Sequence, residues 1–266
     1  MKESFALKFL YDTIPGRICL KILTNPAISK IAGFVLDSGI STILIKPFMR
    51  TYDISLDGIK IPEKGFSSFN EFFCRERLNP SVDMNKSHLI SPCDGFLSTY
   101  KIDKNSCFKI KHTKFSVEDL LRDKKLAKEF QGGVALVFRL TPANYHRYIF
   151  IDDGKVLKHK KIRGVLHTVR PIALAKFPVF VQNSREVTIE QTENFGKIAQ
   201  IEIGALLVGR ITNKKAEKRV KRGQEKGYFE FGGSTIVLLL SKKYAKYYKD
   251  SDAEIPVILG ETIEKV

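Results

Sequence analysis

The most constraining feature of this sequence is the apolar run Ile236-Val237-Leu238-Leu239-Leu240, which directly follows Gly232-Gly233-Ser234-Thr235. A short apolar run bounded by glycines is typical of a buried strand. Two glycines let the backbone turn and leave a peptide carbonyl open on both sides, so the Ser234 hydroxyl can reach the carbonyl carbon of Gly233. This stretch predicts either a glycine turn before a core strand or a junction where serine attacks the preceding peptide bond.

After residue 89 the chain consists of short apolar runs separated by turns, which is typical of β-structure. We predict strands over 96–102, 134–140, 147–151, 165–169, 187–191, 197–203 and 235–240, and a helix over 116–129 with Ser116 as its N-cap. Earlier segments have helical spacing, over 4–11, 17–23, from Pro26 onward, 41–52 and 68–73. The pattern predicts an α+β fold, in which a helical region over residues 1–60 packs on a mostly β domain over residues 61–266.

The charge balance indicates an anionic partner. The chain carries 45 Lys and Arg against 29 Asp and Glu, a net charge of +16. Acidic membranes and nucleic acids are the usual partners of such a chain. No nucleic-acid-binding motif accompanies the charge, so we predict no nucleic acid partner. Two basic clusters are either solvated loops or a surface for anionic lipid: Lys158, Lys160, Lys161 and Arg163, and then Lys214, Lys215, Lys218, Arg219, Lys221 and Arg222.

The cysteines and the apolar segments argue against several classes of protein, namely zinc-binding, disulfide-rich and membrane-spanning proteins. Cys19, Cys74, Cys93 and Cys107 form no Cys-x-x-Cys pair, which argues against a zinc site or a disulfide framework and fits a reducing compartment. No signal peptide is visible, and the best candidate for a membrane span, 31–48, contains Asp37 and Lys46. We expect no metal site, and we expect any contact with a membrane to be peripheral. The helical start is then either a cap over the β domain or an interfacial anchor.

Six motifs follow one another in a fixed order. They are Phe69-Asn70-Glu71-Phe72-Phe73-Cys74-Arg75, Ser91-Pro92-Cys93-Asp94-Gly95, Tyr145-His146-Arg147, Asn183-Ser184-Arg185-Glu186-Val187, Ile203-Gly204-Ala205-Leu206-Leu207-Val208-Gly209, and residues 221–235 around the Gly-Gly-Ser-Thr junction. In this order they resemble the phosphatidylserine decarboxylases, which are pyruvoyl enzymes that make their own cofactor. The resemblance covers roughly residues 60–245 by motif.

The resemblance implies a reaction for the junction. Ser234 would attack the Gly233 carbonyl to give an ester, elimination would give dehydroalanine, and hydrolysis would leave a pyruvoyl group at position 234. Decarboxylation of an α-amino acid needs an electron sink, and pyruvate bound in this way supplies one by condensing with the substrate amine to a Schiff base. The implied activity is that of a carboxy-lyase that converts phosphatidylserine to phosphatidylethanolamine and carbon dioxide.

The catalytic base is where the chain departs from the family. The resemblance assigns Asp94 to orient a histidine that activates Ser234, as in a hydrolase triad. The family usually reads Tyr-His-Arg-x-His, whereas Ile149 occupies the place of the second histidine here. Two assignments of the base are open. Either His146 serves both cleavage and decarboxylation, or His167 projects into the site from a neighbouring strand and acts as the base. We favour His167 as the base. The equal alternative is that His167 is a core histidine whose hydrogen bonds are made with the backbone.

Several expectations concern partners. Arg147 and Arg185 are candidates for contacts with the substrate phosphate or carboxylate. The predicted partners are an anionic phospholipid surface, on the cytoplasmic face of a membrane, and self-association of the two cleavage products, with a homodimer as one form. The alternatives are a non-cleaving lipid-binding pseudoenzyme and a pyruvoyl decarboxylase of another seryl lipid or amino acid.

Overall fold

The computed structural model describes residues 5–110, 113–174, 176–206, 210–215, 218–232 and 234–265. The α-helices are α1 (Phe5–Asp12), α2 (Ile14–Leu23), α3 (Pro26–Leu36), α4 (Ile45–Tyr52), α5 (Phe69–Phe73), α6 (Val117–Leu121), α7 (Lys124–Glu129), α8 (Pro171–Leu174) and α9 (Val179–Gln182). Short 3₁₀ helices cover Gly39–Leu44 and Lys242–Tyr247. The strands are β1 (Ile59–Lys60), β2 (Glu76–Arg77), β3 (His88–Ile90), β4 (Gly95–Lys101), β5 (Cys107–Ile110), β6 (Thr113–Ser116), β7 (Val134–Leu140), β8 (Arg147–Ile149), β9 (Gly154–Ile162), β10 (Arg185–Thr192), β11 (Lys197–Ile203), β12 (Ile211–Asn213), β13 (Arg219–Val220), β14 (Glu225–Phe229), β15 (Ser234–Leu240), β16 (Ser251–Val257) and β17 (Thr262–Lys265).

An eight-stranded antiparallel sheet forms the centre of the molecule, in the order β13-β9-β10-β11-β15-β7-β4-β16. Strand β15 lies inside it, between β11 and β7. Successive side chains of β15 alternate between two cores: Val237 and Leu239 belong to one, and Ile236, Leu238 and Leu240 to the other. The apolar run has no polar alternation because both faces of this strand are buried.

Different layers cover the two faces of the central sheet. One face packs on helical segments through Tyr11, Leu20, Leu120 and Phe180. The other face packs on the three-stranded sheet β12-β14-β8, through side chains such as Tyr148 and Phe229. Helices at the N-terminus and a large sheet after them confirm the predicted α+β class. The boundary near residue 60 stays a prediction.

Two predicted elements are wrong in detail. Residues 165–169 form no strand and contribute only one isolated bridge, from Val165 to Asn183. The predicted helix 116–129 is broken into α6 and α7, because Arg122 has a φ of 50° and ends the first of them. Ser116 does cap α6, as predicted, by accepting a hydrogen bond from the Asp119 amide.

The N-terminal helices pack on the rest of the chain by one side only. Tyr11 and Leu20 are buried, whereas a row of large apolar side chains faces outward, including Phe5 (87% exposed), Phe34 (78%) and Ile40 (79%). Within the described residues, no single helix is long and apolar enough to cross a membrane; α2 and α3 pass that test only together, and they are bent by 66° at their junction. We call the outward row, Phe5, Ile14, Ile18, Ile22, Ile31, Phe34, Ile40 and Ile43, the apolar face.

Candidate active site

The central sheet brings Ser234 and the Asp94-Gly95 turn to one edge, where the ends of the interior strands β15, β7 and β4 lie. Ser234 lies opposite Leu140 of β7, and on the other side of β7 Phe96 lies opposite Arg139. Two interstrand spacings of about 4.8 Å therefore separate the row of Ser234 from that of Gly95. Gly95 has a φ of 149°, and a Cβ there would come within 2.7 Å of the Arg139 carbonyl oxygen, so glycine lets β4 begin beside β7. Gly233, the predicted acyl side of the cleavage, lies outside the described residues.

Buried polar atoms without partners mark this edge. Ser234 Oγ, Thr235 Oγ1 and His146 Nε2 are all buried, and none has a hydrogen-bond partner among the described residues. Burying a hydroxyl or imidazole nitrogen without a partner costs about 1–3 kcal/mol. Most buried polar atoms in native proteins have a hydrogen-bond partner. Unpaired atoms at the Gly-Gly-Ser-Thr junction therefore indicate a candidate reactive site.

His146 is neutral and its free nitrogen is an acceptor. The imidazole Nδ1 lies 2.9 Å from the Asn144 carbonyl oxygen, which can only accept, so Nδ1 carries the proton and Nε2 has the lone pair. Burial, together with the nearby Arg75 charge, lowers the pKa of His146 to about 3, although the nearby backbone of Asn144 and Gly232 opposes this. The ring packs on Phe73, with centroids 4.1 Å apart. A neutral imidazole beside the Gly232 backbone can accept a proton.

Asp94 is paired with an arginine. Arg77 Nη1 and Nη2 donate to the two carboxylate oxygens at 3.0 and 2.6 Å, and the Leu259 amide donates to Oδ1 at 3.0 Å. The Arg77 guanidinium also lies over the Tyr145 ring, 4.4 Å from its centroid. Ile149 is buried in the sheet core and offers no proton acceptor. No described histidine shares a hydrogen bond with Asp94, so the predicted role of Asp94 in orienting a base stays a prediction.

His167 lies in a different environment from His146. Its Nδ1 is 3.2 Å from the Tyr11 hydroxyl, and its ring stacks on Phe177 with centroids 4.6 Å apart. Asn183 holds its backbone on both sides, accepting from its amide at 3.0 Å and donating to its carbonyl at 2.8 Å. Burial lowers the pKa of His167. These contacts place the ring between α1 and the segment after α8, and the predicted role of His167 as the base stays a prediction.

The two candidate substrate arginines are already engaged. Arg185 is 1% exposed and donates to the backbone carbonyls of Leu120, Val181, Asn183 and Asp119, at 2.7–2.9 Å. Arg147 donates to both carboxylate oxygens of Glu225, at 2.8 and 3.0 Å, and to the Cys74 carbonyl at 2.8 Å. These contacts give both arginines a structural role. None of them is with a residue at the Ser234 edge, and the predicted contacts with the substrate stay a prediction.

A largely apolar cavity opens at the same edge of the sheet. Its volume is about 770 Å³, and its wall includes Phe96, Leu140, Val169, Phe231 and Gly232. Leu7 of α1 and Tyr52 of α4 complete the wall on the side of the N-terminal helices. Thr168, next to His167, also lines it, as does Arg170.

Comparison with known proteins identifies the family. The family model described as phosphatidylserine decarboxylase matches residues 69–265. This chain belongs to the phosphatidylserine decarboxylase family. It is 44% identical to phosphatidylserine decarboxylase proenzyme 2 of Clostridium acetobutylicum, over 97% of this chain and 90% of the relative. The proenzymes of Ruminiclostridium cellulolyticum and Clostridium perfringens are 41% and 43% identical, over 97% and 99% of this chain and 90% and 95% of theirs.

Membership of the phosphatidylserine decarboxylase family confirms the resemblance and the predicted class, a carboxy-lyase. Sequence reasoning did not find Asn144 as the residue that fixes the tautomer of His146, or Arg77 as the partner of Asp94. Within the described part of the chain, no three His, Cys, Asp or Glu side chains are grouped to bind a metal ion.

Proposed function

We propose that this chain decarboxylates phosphatidylserine to phosphatidylethanolamine and carbon dioxide, after converting its own Ser234 to a covalent pyruvoyl group. The observation that carries the proposal is a buried, unpartnered Ser234 Oγ in the same segment as Gly232, whose backbone lies near the buried imidazole of His146. The names of the relatives support the substrate, and the word proenzyme in those names supports processing of the chain.

The first step is an N-to-O acyl shift. Ser234 Oγ bonds to the carbonyl carbon of Gly233, its proton passes to a base, and the peptide nitrogen of Ser234 leaves as an amine. Loss of the α-proton then expels the Gly233 carboxylate and leaves dehydroalanine at position 234. Water adds to the tautomeric imine, and ammonia leaves. The products are one chain that ends at Gly233 and another that begins with a pyruvoyl group in place of Ser234.

His146 is the base that the contacts favour for the acyl shift. Serine is a weak nucleophile at neutral pH and needs a base within hydrogen-bond reach. His146 Nε2 is unprotonated, buried and close to the Gly232 backbone, one residue before the scissile peptide bond. The Asn144 carbonyl fixes its tautomer in the way that a carboxylate does in a hydrolase triad.

The residues at the junction fit a pyruvoyl group. The group supplies an electron sink conjugated to the α-carbon of the substrate. His146 Nε2 is free to hydrogen-bond to it, and Gly232, two residues before it, lines the large apolar cavity, which we call the substrate cavity. An apolar wall solvates a carboxylate poorly, which favours its loss as neutral carbon dioxide. His146 is also the group that can hold the proton that returns to the α-carbon.

The apolar face supports an interfacial membrane site. It exposes eight large apolar side chains along the helical start, and the exposed Lys21 and Lys30 lie on two of the same helices, α2 and α3. Such a combination inserts apolar side chains at the headgroup level while the basic residues attract anionic lipid. Because α1 and α4 contribute to both the helical start and the substrate cavity, a lipid could enter the cavity without leaving the surface.

The test is a product assay with phosphatidylserine vesicles. The purified protein should release carbon dioxide and form phosphatidylethanolamine in equal amounts, whereas the Ser234→Ala variant should bind the same vesicles and release none. Activity on soluble phosphoserine that matches the activity on vesicles would contradict the lipid substrate. Vesicle binding by an intact chain without carbon dioxide release would favour the pseudoenzyme, a reading to which the Arg77–Asp94 pair and Ile149 give some support.

A further inference from the structure

A hydrogen-bonded cluster holds the segment that leads into the junction. Asn70 of α5 is 4% exposed, and its Oδ1 accepts from the Phe231 amide at 3.2 Å. Its Nδ2 donates to Asp37 Oδ1 at 2.7 Å and to Glu230 Oε2 at 3.2 Å. One amide side chain therefore joins the end of α3 to the two residues before Gly232.

Arg210 closes the same cluster from the other side. Its guanidinium lies 2.8 Å from Asp37 Oδ2 and 2.5 Å from Glu230 Oε2, and its carbonyl accepts from the Glu230 amide at 3.1 Å. Thr212 adds a hydrogen bond to Glu230 Oε1 at 3.2 Å. We call Asp37, Asn70, Arg210 and Glu230 the junction clamp.

Aromatic packing extends the clamp to the catalytic groups. The Phe231 ring lies 5.1 Å from that of Phe69 and 5.2 Å from that of Phe73, and Phe73 in turn packs on the His146 ring at 4.1 Å. The backbone of Phe231 and the ring of His146 are thus positioned by the same short helix. An acyl shift depends on such positioning, because a displacement of about 1 Å can cost about 100-fold in rate.

We propose that Asn70 is a positioning residue for self-cleavage, which fixes the backbone at Phe231 so that Ser234 Oγ meets the Gly233 carbonyl carbon. The inference rests on the proposed function and deepens it. The role needs an amide: its NH₂ group donates to two carboxylates while its oxygen accepts from a backbone amide, and no other uncharged side chain of this size does both. The clamp also links cleavage to α3, which carries part of the apolar face.

The test uses variants of Asn70 made by cell-free synthesis, with cleavage followed by intact mass. Asn70→Ala should slow cleavage about 10- to 100-fold. Asn70→Asp keeps the shape but places a third carboxylate between Asp37 and Glu230, and that crowding raises the pKa of the new group. At pH 8 it should therefore cleave as slowly as Asn70→Ala. Near pH 5.5 the protonated group donates one hydrogen bond, where the amide donates two, so cleavage should rise severalfold above its rate at pH 8 without reaching that of wild type.

Several titratable or charged groups face position 70. They are Asp37, Arg210 and Glu230 in the clamp, and Glu71, Cys74, Arg147 and Tyr228 around the adjoining cleft. Burial raises the pKa values of Tyr228 and Cys74, so both stay neutral at either pH. Burial also raises the pKa of Glu230, which favours its protonation as the pH falls, so wild type and Asn70→Ala are measured at both pH values as references. The matched control is Asn105→Ala, at an exposed turn, which should cleave like wild type at both pH values.

The outcomes separate this inference from the proposed function. A wild-type chain that never cleaves contradicts the proposed function. A wild-type chain that cleaves, together with Asn70→Ala and Asn70→Asp variants that cleave at the same rate, overturns the positioning role alone. Equal slowing of Asn70→Asp at pH 8 and pH 5.5 also overturns it, because loss of packing would not depend on pH. If Asn70→Ala fails to fold, the pH response of Asn70→Asp decides the question.

Discussion

Individual contacts around His146 determine how a chain without the usual second histidine could still cleave itself. The carbonyl of Asn144 fixes the proton on Nδ1, and burial keeps the imidazole neutral. The family resemblance assigns Asp94 to orient the base. In the structure, Arg77 and the Leu259 amide donate hydrogen bonds to its carboxylate. The motifs were sufficient to place Ser234, Asp94 and His146 in one region of the fold. They could not show the partners of Asp94, because Arg77 lies 17 residues earlier in the sequence and meets Asp94 only in the folded chain.

Replacing His146 by alanine should slow self-cleavage by about 10²- to 10⁴-fold, the usual contribution of a positioned base. A pKa lowered to about 3 keeps the base in its neutral form as the pH falls, so the wild-type cleavage rate should stay flat from pH 8 to about pH 5. Intact mass at fixed times after synthesis measures both effects. His159→Ala, a change on β9 in the basic cluster, is the matched control.

Either of two results would remove His146 from this role. One is a His146→Ala variant that cleaves at the wild-type rate. The other is a wild-type rate that halves near pH 6.5, the ordinary pKa of histidine, because the active base would then be a less buried group. In that case His167 is the next candidate, and the His167→Ala variant should lose cleavage.

Among the elements, β15 could be predicted from sequence and β9 could not. The run at 236–240 is apolar on both faces, and a strand at the centre of the sheet is what it forms. Strand β9 contains Lys158, Lys160 and Lys161, and its mostly exposed, charged residues resemble a solvated loop. Residues 165–169 were predicted as a strand from their apolar content, but they pack on α1 and α9 rather than on a sheet edge. Burial of an apolar segment does not by itself select strand pairing.

The helices α1 to α4 carry the test of the membrane proposal. Phe34 on α3 is 78% exposed, so Phe34→Asp should leave the thermal unfolding midpoint unchanged within about 2 °C while it weakens binding to anionic vesicles about 10-fold or more. Cosedimentation with phosphatidylserine vesicles measures the binding. Ile255→Asp is the matched control, because Ile255 is 60% exposed on β16, outside the apolar face and both basic clusters. Equal vesicle binding by both variants and the wild type would contradict the proposed surface.

At the scale of the whole molecule, different layers cover the two faces of the central sheet. One face carries the N-terminal helices and the other carries the sheet β12-β14-β8, and the Ser234 side chain lies on the second face, with those of Ile236 and Leu238. The class of the fold followed from the order of helical and β segments in the sequence. The position of the cavity did not, because its wall combines residues from α1, α4, β4, β7 and the loop before Ser234. Such a combination arises only from tertiary packing.

The most direct measurement of the central claim is the intact mass of the purified protein. We expect two chains, one that ends at Gly233 and one that begins with a pyruvoyl group at position 234 and ends at Val266. After treatment with a carbonyl-reactive hydrazine, the second chain should gain the mass of one hydrazine less one water, because the ketone forms a hydrazone. A single chain at the full-length mass, stable over time and in the presence of phosphatidylserine vesicles, would contradict self-cleavage and with it the proposed decarboxylase.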